Sequence, residues 1–148
     1  MRVSKYLFLS SLILFLFGCA SAKLTSQFSE LAPDKNKATI YIYRLDTSIH
    51  SLNPDIPVFY LNGKEIGPLN IGGYYVQQVD EGTVEINYKE NGFLWLGYLF
   101  PSKKIKVDAK AGKSYFVKFE VALMGTFFDF VPYEFGIQDI RSTKLLIK

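Results

Sequence analysis

Tyr115-Phe116-Val117-Lys118-Phe119-Glu120-Val121-Ala122-Leu123 is the stretch that decides the fold. Tyr115, Val117, Phe119, Val121 and Leu123 alternate with Phe116, Lys118, Glu120 and Ala122. Successive side chains of a strand point to opposite faces, so this period of two predicts a long strand with one buried side. Ala111-Gly112-Lys113 before it reads as a turn. Before that turn, Ile105 and Val107 alternate with Lys104, Lys106 and Asp108. After the long strand, Thr126 to Tyr133 reads as another aromatic strand closed by Pro132. Tyr133 to Thr143 is the place for a short C-terminal helix packing Phe135, Ile137 and Ile140.

The same pattern extends towards the N-terminus. Val84, Ile86 and Tyr88 alternate with Glu85, Asn87 and Lys89, between turns at Asp80-Glu81-Gly82 and Glu90-Asn91-Gly92. Tyr74 to Val79 follows a break at Gly72-Gly73. Val58 to Leu61 and Lys64 to Leu69 flank Asn62-Gly63, a type I′ hairpin signal because both central positions need positive φ. Pro68 marks an edge or an end. Ala38 to Leu45 is β-branched and aromatic, and Thr47 to Pro57 reads as a loop. About seven or eight short strands with regularly spaced turns predict an all-β fold, a single antiparallel β-sandwich over residues 38–148. Ala20 to Lys37 is polar and aperiodic, and it reads as a flexible tether of about 23 Å end to end.

The length of 148 residues suits one domain. Hydrophobic residues make up 49% and aromatic residues 16%, a composition that folds and that favours strands. A net charge of +3 gives no reason to expect a nucleic-acid partner. One cysteine and one histidine exclude an intrachain disulfide framework and a Cys/His zinc centre.

The first residues carry an address. Arg2 and Lys5 form a basic start, Tyr6 to Phe17 is apolar apart from Ser10 and Ser11, and Leu16-Phe17-Gly18-Cys19 follows. The apolar run is the length of a signal-peptide core and short for a spanning helix. The tetrapeptide resembles the bacterial lipobox. That resemblance implies a lipoprotein signal peptide over residues 1–18, diacylglycerol on the Cys19 thiol, cleavage between Gly18 and Cys19, and acylation of the new amino group. The competing reading is an uncleaved N-terminal anchor with an incidental cysteine. Two or three acyl chains on one residue exceed what stable membrane anchoring requires. Ala20 after the cysteine resembles the outer-membrane default, since Asp at that place favours inner-membrane retention in enteric-type bacteria. Cleavage also removes Arg2 and Lys5, and with them most of the net charge.

Further landmarks stand in order. They are Ile40-Tyr41-Ile42-Tyr43-Arg44, Val58 to Gly67 with its Asn62-Gly63-Lys64 hairpin, Gly72-Gly73-Tyr74-Tyr75, and Ala111-Gly112-Lys113-Ser114-Tyr115-Phe116-Val117. Together with the lipobox they resemble the small bacterial lipoproteins of domain-of-unknown-function family 2846, over most of residues 38–145. The resemblance implies a β-sandwich and supplies no activity.

Enzyme constellations are mostly missing. A nucleophile–base pair would have to use His50, and Cys19 is consumed by lipid. Asp129, Glu134, Glu85 and Glu90 show no spacing that singles out a pair across a cleft. Gly72-Gly73 lacks the Lys-Ser of a phosphate loop, and Asp80-Glu81 reads as a solvated turn. The expectation is therefore no enzyme, no cofactor and no metal.

Three features invite a binding reading. Arg44 shares a face with Ile40 and Ile42, so its charge must pair or reach outward; it either bridges a carboxylate to hold the strand or binds a ligand. Lys103, Lys104, Lys106, Lys110 and Lys113 surround one strand, as an anionic contact or as an edge protected against aggregation. Phe93-Leu94-Trp95-Leu96-Gly97-Tyr98-Leu99-Phe100 has no polar residue. It is either covered on both faces, with Met124, Phe127, Phe128 and Phe130 as the cover, or it is a contact patch centred on Trp95 and Tyr98. The function expected is a membrane-anchored envelope lipoprotein of binding or structural type, in the outer membrane. Its partners are the membrane through Cys19 and an envelope protein or glycan. The alternative is a periplasmic enzyme or enzyme inhibitor with an unrecognised site.

Overall fold

The computed structural model describes residues 22–47, 56–89, 103–122 and 125–147. They form ten strands and one helix in two packed sheets. The strands are β1 (Lys23–Gln27), β2 (Ala38–Tyr43), β3 (Val58–Leu61), β4 (Lys64–Pro68), β5 (Gly73–Val79), β6 (Gly82–Lys89), β7 (Lys104–Ala109), β8 (Ser114–Ala122), β9 (Gly125–Val131) and β10 (Lys144–Ile147). The helix α1 is Tyr133–Ile140. One sheet runs β1-β10-β5-β2-β8-β9 and the other β4-β3-β6-β7.

The facing sides bury the alternating residues. Ala38, Ile40 and Ile42 of β2 and Val117 and Phe119 of β8 meet Phe59, Val84, Ile86 and Tyr88 of the second sheet. Phe59, Tyr88, Phe119 and Phe128 form an edge-on aromatic centre, with Tyr88–Phe119 centroids 5.0 Å apart and Tyr88–Phe128 centroids 5.2 Å apart. Each such ring contributes roughly 1.5–3 kcal/mol by leaving water.

Every residue of β2 is buried, because the six-stranded sheet is covered on its outer side as well. There Tyr41, Tyr43, Tyr74 and Phe116 pack beneath Ile137 and Ile140 of α1 and beneath Phe28. Tyr41 stacks on Phe116 at 5.0 Å and 13°. The all-β sandwich therefore has a partial third layer.

Four features differ from the sequence-based expectation. First, part of the presumed tether is structured: Lys23–Gln27 pairs with β10. All five of its side chains are exposed, so backbone hydrogen bonds hold it and no hydrophobic pattern announces it. The next residues are strapped down too: Leu31 N donates to Tyr41 Oη at 2.8 Å and Tyr133 Oη donates to Glu30. Second, two pairings are parallel, β2 with β8 and β10 with β5. Parallel neighbours need a long crossover, and the chain between β2 and β8 supplies one by building the second sheet on the way. Third, the strand count rises to ten through β1 and β10. Fourth, Phe135 is 63% exposed. α1 turns Gly136 and Ile140 inward instead, because a Cβ on Gly136 would lie 2.4 Å from Phe116; the ring occupies that space.

The Asn62-Gly63 tip has φ of 49° and 78°, as a type I′ turn requires. Asn62 Oδ1 accepts from Glu85 N at 2.8 Å, tying the hairpin to β6.

Candidate functional site

Arg44 follows β2 and is wholly buried. Its guanidinium carbon lies 5.6 Å from the centroid of the Phe119 ring, over its face. The period of two that puts Ile40 and Ile42 on the core face carries Arg44 there as well. Its backbone N donates to Gly73 O at 3.0 Å, so the end of β2 is fixed to the start of β5. A buried guanidinium is costly unless its donors are engaged and its plane is stacked. The ring of Phe119 provides the stacking, within the cluster of Phe59, Tyr88 and Phe128.

Gly18, Cys19, Trp95 and Tyr98 lie outside the described residues, as do His50, Glu90, the whole Phe93–Phe100 octet and Met124. Of the octet's proposed cover, Phe128 is in the core and Phe130 packs against it, while Phe127 lies on the opposite face and is 47% exposed.

The lysines around β7 divide by partner. Lys103 meets Asp129 at 3.0 Å, and Lys104 and Lys106 meet Glu85 at 3.1 and 3.6 Å. These hydrogen bonds hold the Asp129 and Glu85 carboxyls below their usual range. β7 is an edge strand of the four-stranded sheet, where lysine suits the role of a guard against edge pairing.

One cluster carried no sequence signal. Asp139 of α1 accepts from Tyr43 Oη at 3.1 Å and from Lys118 Nζ at 3.2 Å through the same oxygen. Lys118 also reaches Glu120 at 3.3 Å. Burial, and then the charge of Asp139, push the Tyr43 hydroxyl far above its ordinary range. Burial alone would lower Lys118, but Asp139 and Glu120 outweigh it and raise it. A neutral phenol beside a firmly charged lysine is poorly placed for proton transfer near neutral pH. The cluster instead fastens α1 to the sheet. Period two does put Tyr43 with Tyr41 on one face of β2, but nothing in the sequence says that this face meets a helix.

At the opposite end of the sandwich, Lys37, Asn62, Asp80, Glu81 and Thr83 line a shallow polar cleft of about 380 Å³. Glu81 Oε2 accepts from Ala111 N at 3.2 Å, which ties this turn to the next one. Among the described residues no group of three or more His, Cys, Asp or Glu side chains is placed to hold a metal ion.

The strand order, the Asn62-Gly63 hairpin and the Arg44 position meet a family model over residues 34–128. The chain belongs to the DUF2846 family. That family is described as "Protein of unknown function (DUF2846)". No curated protein matches the chain. The DUF2846 match runs from the turn before β2 to Phe128 in β9, so it takes in Arg44 and both aromatic layers of β2. β1, α1 and β10 lie beyond it, and they are the elements that cover or extend the outer side of the six-stranded sheet.

Proposed function

We propose that this DUF2846 chain is a lipid-anchored lipoprotein of the bacterial cell envelope, with a non-catalytic binding or structural role. The observation that carries the reading is Leu16-Phe17-Gly18-Cys19, placed after a basic start and an apolar run and containing the sole cysteine. The lipid on Cys19 holds the protein to the membrane, and Ala20 directs it to the outer one. The partner is an envelope protein or a glycan. Three observations favour binding or support over catalysis. Glu85 and Asp129 are held by lysines, Asp139 is used to fasten α1, and Arg44 is stacked inside the core.

The test has two parts. Labelling cells with a palmitate analogue and fractionating the envelope should give a labelled outer-membrane protein, and Cys19→Ala should give an unlabelled precursor at the inner membrane. A pull-down of the lipidated protein should recover one stoichiometric envelope partner. Normal processing and labelling of Cys19→Ala would end the lipoprotein reading, and turnover of a small molecule would end the non-catalytic one.

A further inference from the structure

Building on the lipoprotein reading, we propose that the sandwich stands on the bilayer by one defined end, the end where β2 and β6 finish and β3, β5 and β7 begin.

The argument starts from the first described residue. Ala22 is buried in the core, and its carbonyl accepts from Asn70 Nδ2 at 2.8 Å. Only Ala20 and Ser21 separate it from Cys19. Fully extended, that lead spans about 11 Å. The radius of gyration of a folded domain of about 100 residues is already some 13 Å. A lead this short keeps whichever part of the body carries Ala22 next to the lipid headgroups.

Hydrogen bonds identify that part. Gly73 N donates to Asn70 O at 3.1 Å, Arg44 N donates to Gly73 O at 3.0 Å, and Leu69 N donates to Pro57 O at 2.8 Å. Ala22 is thus joined, through Asn70, to the exit of β2 and the entries of β3 and β5. Lys89 stands opposite Val58 and Lys104 opposite Asn87, so β6 leaves and β7 returns at the same end. The chain between them contains the octet Phe93–Phe100 with its Trp and Tyr, bracketed by Lys89 and Lys103. Aromatic residues beside lysines are the composition of a membrane–water interface. Ile56, just before β3, is also exposed at this end. The opposite end differs in chemistry. Its turns are Asn62-Gly63, Asp80-Glu81 and Ala111-Gly112 with the polar cleft between them, and it faces away from the membrane.

The experiment uses full-length lipidated protein in phosphatidylethanolamine–phosphatidylglycerol vesicles containing brominated lipid. A fluorescent thiol label is placed through Ile56→Cys or, separately, Asn62→Cys; lipidation leaves no other thiol. Flotation of the vesicles reports anchoring independently of orientation. The label at 56 should lose most of its emission to the bromines while the label at 62 keeps its own. Equal quenching, stronger quenching at 62, or none at either position in protein that floats would overturn the orientation and leave the anchor intact. Protein that fails to float would overturn the lipid anchor, and the orientation with it.

Discussion

The hydroxyl of Tyr43 donates to Asp139 Oδ2 at 3.1 Å, joining the second strand of the sheet to a helix 96 residues further along the chain. The same carboxylate oxygen takes Lys118 Nζ from β8. One side chain of α1 therefore holds two neighbouring strands, and the outer aromatic layer is closed beneath it.

Removing the hydroxyl with Tyr43→Phe should cost about 1 kcal/mol, since one hydrogen bond goes while Lys118 keeps Asp139 partnered. Asp139→Ala should cost more, because Tyr43 and Lys118 both lose their acceptor. Urea midpoints of the two variants against the parent check this order; equal midpoints for all three proteins would show that the cluster does not fasten the helix.

The tyrosines also set an alkaline limit. Burial raises Tyr41, Tyr43, Tyr74 and Tyr75 above the ordinary 10.0, Tyr75 to about 12. Groups raised in the folded state lose nothing below their unfolded values. As pH climbs past about 10, each costs up to about 1.4 kcal/mol of stability per pH unit until its folded value is passed. Lys118 acts in the same direction. Urea midpoints should be level from pH 7 to about 9.5 and then fall, with tyrosinate absorbance appearing together with unfolding. Tyrosinate absorbance well ahead of unfolding would contradict the burial.

Gly136 sits where a Cβ would lie 2.4 Å from the Phe116 side chain, and Phe116 is itself stacked on Tyr41. Gly136→Ala should therefore destabilise by roughly 1–3 kcal/mol despite alanine's better helix propensity. A raised melting temperature would mean that α1 shifts freely on the sheet.

Arg44→Ala should remove the stacking on Phe119 and leave a cavity beside the aromatic centre, costing roughly 3 kcal/mol or more. An unchanged urea midpoint would assign Arg44 to a ligand and not to the fold.

Much of the sandwich can be read from local chemistry. Asn62-Gly63 needs positive φ, and the Val84, Ile86 and Tyr88 alternation leaves only one way to bury β6. What escaped such reading depends on long-range geometry. β1 is polar and fully exposed, so its place in the sheet rests on β10, which is far away in sequence. The parallel partners β2 and β8 are chosen by the path of the whole second sheet. Phe135 has the spacing for burial, but the fit of Gly136 on Phe116 rotates the helix and leaves it outside. At the candidate site, period two placed Arg44 on the core face, while the Tyr43–Asp139–Lys118 cluster required knowing which face meets α1.

Trp95 divides the two readings of the octet. As a contact residue, Trp95→Ala should weaken membrane or partner association with little change in the urea midpoint. As core, the same change should cost roughly 3–5 kcal/mol. The membrane-facing end argues for the first outcome. A large fall in midpoint would remove the contact patch while leaving the anchor unaffected.

The central claim is the lipid on Cys19, and the intact mass of the protein purified from the envelope tests it most directly. The account predicts a chain that begins at Cys19 and carries the added mass of a diacylglyceryl group and an N-acyl chain. A chain that still begins at Met1, with an unmodified Cys19 thiol, would contradict it.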